Sequence, residues 1–170
     1  MLVNRALLRL ALLPRLVATQ ETGDRRHRRL AIRNGGGGLA IAVQFYWVCD
    51  GRHATGLAAT YLANGEGVRV YAALSPDDMK DGYAVITCED VRGNQFAWSL
   101  DERSRIRWQR PWRGKRNKRL DPQDCFSTLY PDIVIDGLEQ AEYSAPGPMS
   151  AGIPSGALPK TVAPDVSTSS

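Results

Sequence analysis

A thiol, a carboxylate and an imidazole fall within five residues at Cys49-Asp50-Gly51-Arg52-His53. A Cys/His or Asp/His pair is the material of nucleophilic or general-base catalysis, and a thiol four residues from an imidazole is half of a zinc site. Neither chemistry is completed elsewhere in the chain. A zinc site needs a second pair of ligands, and the remaining Cys88, Cys125 and His27 are scattered. Residues three or four apart in a loop have no fixed mutual geometry, and no nucleophile elbow, kinase signature or spaced-glycine nucleotide fingerprint accompanies them. The acidic pairs Asp77/Asp78, Glu89/Asp90 and Asp101/Glu102 are sequence neighbours that face opposite ways on a strand or sit in turns, which is the placement of surface charge. The chain reads as a non-enzymatic protein that needs no cofactor or metal.

The second chemistry is electrostatic. Residues 103–119, RSRIRWQRPWRGKRNKR, hold nine basic side chains, no acid and two tryptophans. Segregating so much like charge costs self-repulsion that a polyanion relieves, and indole faces stack on bases. The nine are Arg103, Arg105, Arg107, Arg110, Arg113, Lys115, Arg116, Lys118 and Arg119, and Trp112, between Arg110 and Arg113, is the stacking candidate. In an extended backbone Arg103, Arg105 and Arg107 share one face, and Trp108 points the other way, toward a core. Past Pro111 the chain is too polar to bury and too rich in Gly and Asn for a helix, which describes a flexible basic tongue. If about five of its charges met phosphates, the log-log salt slope on duplex DNA would be near −4.

Charge is blocked along the chain: residues 1–33 carry +6, residues 34–102 carry −5, residues 103–119 carry +9 and residues 120–170 carry −6. A bipolar chain of this kind argues for a patch rather than for general basicity. The expected partner is DNA or RNA, contacted without sequence preference. The competing partner is an acidic protein surface, and a sheet edge offers self-association into a homo-oligomer. The blandest version is internal: Asp121, Asp124, Asp132, Asp136, Glu139 and Glu142 follow the basic segment directly and would neutralise it.

The elements that must hold these residues are short and β-rich. Ala40–Cys49, Val68–Leu74, Tyr83–Val91 and Asn94–Leu100 have strand composition, Arg92-Gly93 reads as a hairpin turn, and 104–109 suits a last strand. Residues 56–63 are ambiguous. Thr60 and Tyr61 favour a strand whose hairpin partner is Val68–Leu74 across Asn64-Gly65, whereas Thr55 as cap and Gly65 as stop would make a helix over 56–63 and an α+β fold. Ser75-Pro76 opens a helical turn, Asp121-Pro122 opens a helix ended by Pro131, residues 133–135 suit a short strand and 138–143 a helical turn. The expected fold is mainly β: a small barrel or strongly twisted antiparallel sheet of five to six short strands, SH3-like or OB-like in architecture, with short helical turns and disordered termini.

That domain spans 39–143, followed by a Pro/Ser/Gly-rich tail over 144–170 too poor in apolar residues to fold. Residues 1–38 read as a basic, flexible extension, with Gly35–Gly38 as its joint. Residues 1–20 lack acids and carry Arg5, Arg9 and Arg15 among leucines and alanines, the composition of a transit peptide and too interrupted for a secretory signal or a membrane span. Three versions of the extension stand side by side: a targeting segment that implies organellar import, a basic arm on a polyanion, or a spurious translation of leader ahead of a start at Val43, since four glycine codons resemble a bacterial ribosome-binding tract. Three widely spaced cysteines, an odd number, suggest the cytoplasm or another reducing compartment.

Overall fold

The computed structural model describes residues 12–22, 27–49, 51–74, 82–101 and 119–147, together with the backbone of 106–108. Alternation of apolar and polar residues makes most of its strands. In β2 (Arg28–Asn34) Leu30 and Ile32 are buried, while Arg29, Ala31 and Arg33 take the other face. β1 (Leu16–Thr22) turns Leu16 and Ala18 inward in the same way, and β5 (Gly67–Ala72) buries Val68, Val70 and Ala72. These three strands and the two-residue β10 (Tyr143–Ser144) form an antiparallel sheet in the order β1-β2-β5-β10.

The second sheet has the order β8-β7-β6-β3-β4-β9. It comprises β3 (Ala40–Cys49), β4 (Arg52–Leu62), β6 (Tyr83–Glu89), β7 (Gln95–Leu100), β8 (Ile106–Trp108) and β9 (Glu139–Gln140), with β9 alone parallel to its neighbour. Phe45, Trp47, Ile86, Phe96 and Trp98 of this sheet join Leu16, Leu30, Ile32, Val68 and Val70 of the first in one core. The opposite face is covered by α1 (Pro122–Leu129), so that Tyr46, Val48, Val85 and Ala97 pack on Cys125 and Phe126. Burial on both faces explains why β3 and β6 read as near-continuous apolar runs instead of alternating ones. Asp121 caps α1, its Oδ1 accepting from the backbone N–H of Gln123 at 2.7 Å and of Asp124 at 3.4 Å, and Pro122 sits where no donor is needed.

The chain is mainly β, as its composition implies, but the two sheets face each other across the core and neither closes into a barrel. The extra strands come from the N-terminal segment. Leu16–Thr22 and Arg28–Asn34, expected to belong to a flexible arm, are paired antiparallel strands whose Leu16, Leu30 and Ile32 are at most 2% exposed. Burying each such side chain contributes about 1.5–3 kcal/mol, which an arm would forgo. The tetraglycine is likewise no joint. Asn34, fully buried, accepts at Oδ1 from the N–H groups of Arg15 and Gly36 and donates from Nδ2 to the carbonyls of Gly38 and Leu62. A Cβ at Gly36 or Gly38 would collide with the backbone of Leu12, Leu13 and Pro14, so close packing requires those glycines.

Other expectations shift for topological reasons. Residues 56–62 lie in a strand, but β4 pairs with β3, while β5 pairs with β2 and β10. Asn64-Gly65 therefore carries the chain from one sheet to the other rather than closing a hairpin. Arg92-Gly93 does close the β6–β7 hairpin: Gly93 has φ +75°, and Asp90 accepts from the N–H groups of Arg92 and Asn94. Residues 133–135 are turn and coil, with Ile133 and Ile135 packed under the helix layer and Val134 exposed. In place of a helical turn over 138–143, β9 and β10 lace the sheets together, and Arg52 ties the lacing by donating to Glu139 and to the carbonyl of Ala73. Residues 75–81 and 148–170 lie outside the described residues. Among those described, no helix is long and apolar enough to cross a membrane.

Candidate polyanion interface

Cys49 and His53 leave the tight β3–β4 turn in opposite directions. Cys49 enters the core between the sheets, whereas His53 stacks on Tyr46, on the face covered by α1, with ring centroids 5.4 Å apart. Asp50 lies outside the described residues. Thiolate chemistry is also discouraged elsewhere: burial, reinforced by Asp121 and Asp124, pushes the Cys125 thiol up to about 11. Burial, followed by Asp90 and Glu89, holds Cys88 far above the ordinary thiol range. Among the described residues no three His, Cys, Asp or Glu side chains are grouped to hold a metal.

Residues 106–108 of the basic segment form β8, the terminal strand of the six-stranded sheet, where Arg107 stands opposite Ser99 and Trp108 opposite Trp98. Arg103, Arg105, Arg110, Trp112, Arg113, Lys115, Arg116 and Lys118 lie outside the described residues. The chain returns at Arg119, whose Nε lies 3.1 Å from Glu89 Oε1, and at Leu120, whose N–H donates to Gln95 Oε1 at 2.8 Å. Trp98 and Gln95 are three residues apart on β7, so the points where the segment leaves and rejoins the hairpin are about 10 Å apart. Glu89 on β6 answers Arg119, and among the C-terminal acids Glu139 is engaged by Arg52.

A second concentration of positive charge was hidden by the reading of residues 1–38 as an arm. On the outer face of the four-stranded sheet, Arg29 stands opposite Glu21 and Tyr71, Ala31 opposite Thr19 and Arg69, and Arg33 opposite Val17 and Gly67. The Arg29 guanidinium lies over the Tyr71 ring, 5.4 Å from its centroid, and the Arg69 Nε is 3.4 Å from Glu21 Oε2. Thr19, Ala31 and Gly67, all small, line a cavity of about 300 Å³ together with Arg33, Arg69 and Glu21. Among the described residues, three arginines and one carboxylate share that face. The Arg29 Nε is buried with no hydrogen-bond partner among the described residues, a donor that water or a ligand oxygen would satisfy. The signal was present in RRLAIRN, where arginine and aliphatic residues alternate at the strand period.

No protein-family model and no curated protein matches the chain. Among solved structures, the archaellum periplasmic stator protein FlaG from Sulfolobus acidocaldarius is similar over 51% of this chain and 99% of its own, with 16% identity and a TM-score of 0.35.

Proposed function

We propose that this domain is a non-enzymatic module that binds DNA or RNA through phosphate contacts and without sequence preference. The observation that carries the reading is the attachment of the 103–119 segment. Its residues 106–108 pair with β7, and at its far side Arg119 meets Glu89 and the next residue, Leu120, bonds to Gln95 of the β6–β7 hairpin. Nine cations within seventeen residues, held on the domain at these points, supply the charge that a phosphate backbone attracts. Buried thiols that form no disulfide are in keeping with a reducing compartment such as the cytoplasm. The test is fluorescence anisotropy of labelled single-stranded and duplex oligonucleotides with the full chain, over a salt series. Salt-steep binding that weakens when Lys115, Arg116 and Lys118 are changed to Gln supports the reading, and absence of binding at low salt overturns it.

A second reading, assembly with another protein surface or with a further copy, is favoured by β4. Residues 53–65 contain no charged side chain, and among the described residues β9 pairs only with Arg52 and His53 of that strand. Leu57 and Tyr61 on it are 45% and 51% exposed. Natural sheet edges usually carry charge or proline against such pairing. Sedimentation across a concentration series separates the readings: assembly through β4 grows with protein concentration and is lost on Leu57→Lys, while nucleic-acid affinity is unchanged by that substitution.

A further inference from the structure

We infer that the outer face of the four-stranded sheet is a track for a single strand of nucleic acid, with its phosphates on Arg33, Arg69 and Arg29 in turn. The inference rests on the nucleic-acid reading above, but places the contact on a sheet that the 103–119 segment does not belong to. The register supplies the geometry. Arg29 and Arg33 are four residues apart on β2, about 13 Å, and Arg69 stands on the neighbouring strand beside Ala31, midway between them. Cations spread over that length cannot converge on one small anion, but they form a single row that an extended polyanion follows.

The face between and beside them suits one strand better than two. Thr19, Ala31 and Gly67, whose side chains are short or absent, line a cavity of about 300 Å³ beside Arg33 and Arg69, room in which a sugar–phosphate chain can lie between the arginine stems. A duplex offers two phosphate rows separated by a groove of about 6 or 12 Å, and the second row would fall beyond this single line of cations. At the Arg29 end, the guanidinium stacked over Tyr71 makes a flat platform, and unstacked bases settle on both aromatic rings and guanidinium planes. Among the described residues Glu21 is the one carboxylate on the face, and it pairs with Arg69; an incoming phosphate takes over that role.

The test compares wild type, Arg33→Gln/Arg69→Gln, Arg33→Lys/Arg69→Lys and Lys115→Gln/Arg116→Gln/Lys118→Gln, all as the full chain, binding labelled oligothymidylate and a duplex of equal length over 0.05–1 M salt. Both arginines are at the surface, and circular dichroism with thermal melts confirms that each variant folds. Losing two single-strand phosphate contacts makes the log-log salt slope shallower by about 1.4, which carried down from 1 M is a loss on the order of 50-fold at 0.05 M. The inference expects that change in Arg33→Gln/Arg69→Gln for oligothymidylate, a smaller one for duplex, and recovery with the lysine pair. An unchanged slope in Arg33→Gln/Arg69→Gln beside a reduced one in the Lys115 variant overturns the track and leaves the nucleic-acid reading standing. Equal losses for single strand and duplex overturn the single-strand assignment. A wild type that binds neither oligonucleotide overturns the nucleic-acid reading, and the track with it.

Discussion

Arg28–Arg33 and Arg103–Arg119 are the two arginine-rich stretches of the domain, and the fold treats them differently. In β2 the alternate residues Leu30 and Ile32 are core aliphatics, and burying them forces Arg29 and Arg33 onto one outward face at a spacing set by the sheet. The later stretch has that alternation only at its start, where Ile106–Trp108 pairs with β7; past Pro111 no apolar residue recurs at the strand period. Hydrophobic alternation, rather than the number of cations, decides whether a basic stretch becomes a patterned surface.

The sharpest way to break this comparison is to remove each stretch in turn. Deleting residues 1–38 takes away β1 and β2 and exposes the inner faces of Val68, Val70, Phe96 and Trp98, so cooperative thermal unfolding should vanish. Replacing 109–118 with a Gly/Ser linker of equal length should leave a cooperative transition, with its midpoint shifted by only a few degrees. A milder version is Leu30→Ala, which empties a fully buried site between the sheets and should cost about 2–5 kcal/mol in a urea titration. If either the 1–38 deletion or Leu30→Ala left stability unchanged, the N-terminal hairpin would be an appendage after all.

Why the N-terminal hairpin escaped a reading of the sequence is a matter of competing signals. The β-rich middle, the capped helix at Asp121-Pro122 and the Arg92-Gly93 turn were legible because local chemistry alone specifies them. RRLAIRN carried the strand period too, but its arginine content and the tetraglycine beside it pointed toward an unfolded arm. The decisive partner is non-local: β2 lies between β1 and β5, and β5 is about 40 residues away along the chain. The same non-locality moved the Asn64-Gly65 turn from a hairpin to a sheet crossing. Of the candidate site, the charge of 103–119 was legible, whereas the row of Arg29, Arg69 and Arg33 exists only once two distant strands are in register.

Asn34 joins the hairpin to the rest of the fold at the tetraglycine, and removing its side chain is the next largest perturbation. Asn34→Ala strands the N–H groups of Arg15 and Gly36 and the carbonyls of Gly38 and Leu62, all of which the amide now satisfies. A buried polar group left without its partner costs about 1–3 kcal/mol, and water entering the loop recovers part of that sum. The expected loss is therefore about 2–3 kcal/mol by chemical denaturation, with faster amide exchange confined to 34–38 and the 62–66 turn. Uniformly faster exchange would mean that Asn34 supports the whole hairpin rather than one corner of it.

The smallest effect belongs to the anchor of the second stretch. Arg119 and Glu89 are 3.1 Å apart, but the arginine side chain is 56% exposed, and exposed pairs contribute about 0–1 kcal/mol. Arg119→Gln should barely move the unfolding midpoint, and the Leu120 N–H bond to Gln95 should keep the chain on the hairpin. Glu89→Gln separates anchoring from charge: it breaks the same pair while leaving Arg119 free for phosphate, so nucleic-acid affinity should rise slightly, whereas Arg119→Gln lowers it. If both substitutions lowered affinity, the pair would act by positioning the 109–118 loop. The second stretch would then depend on a fixed geometry, as the first does.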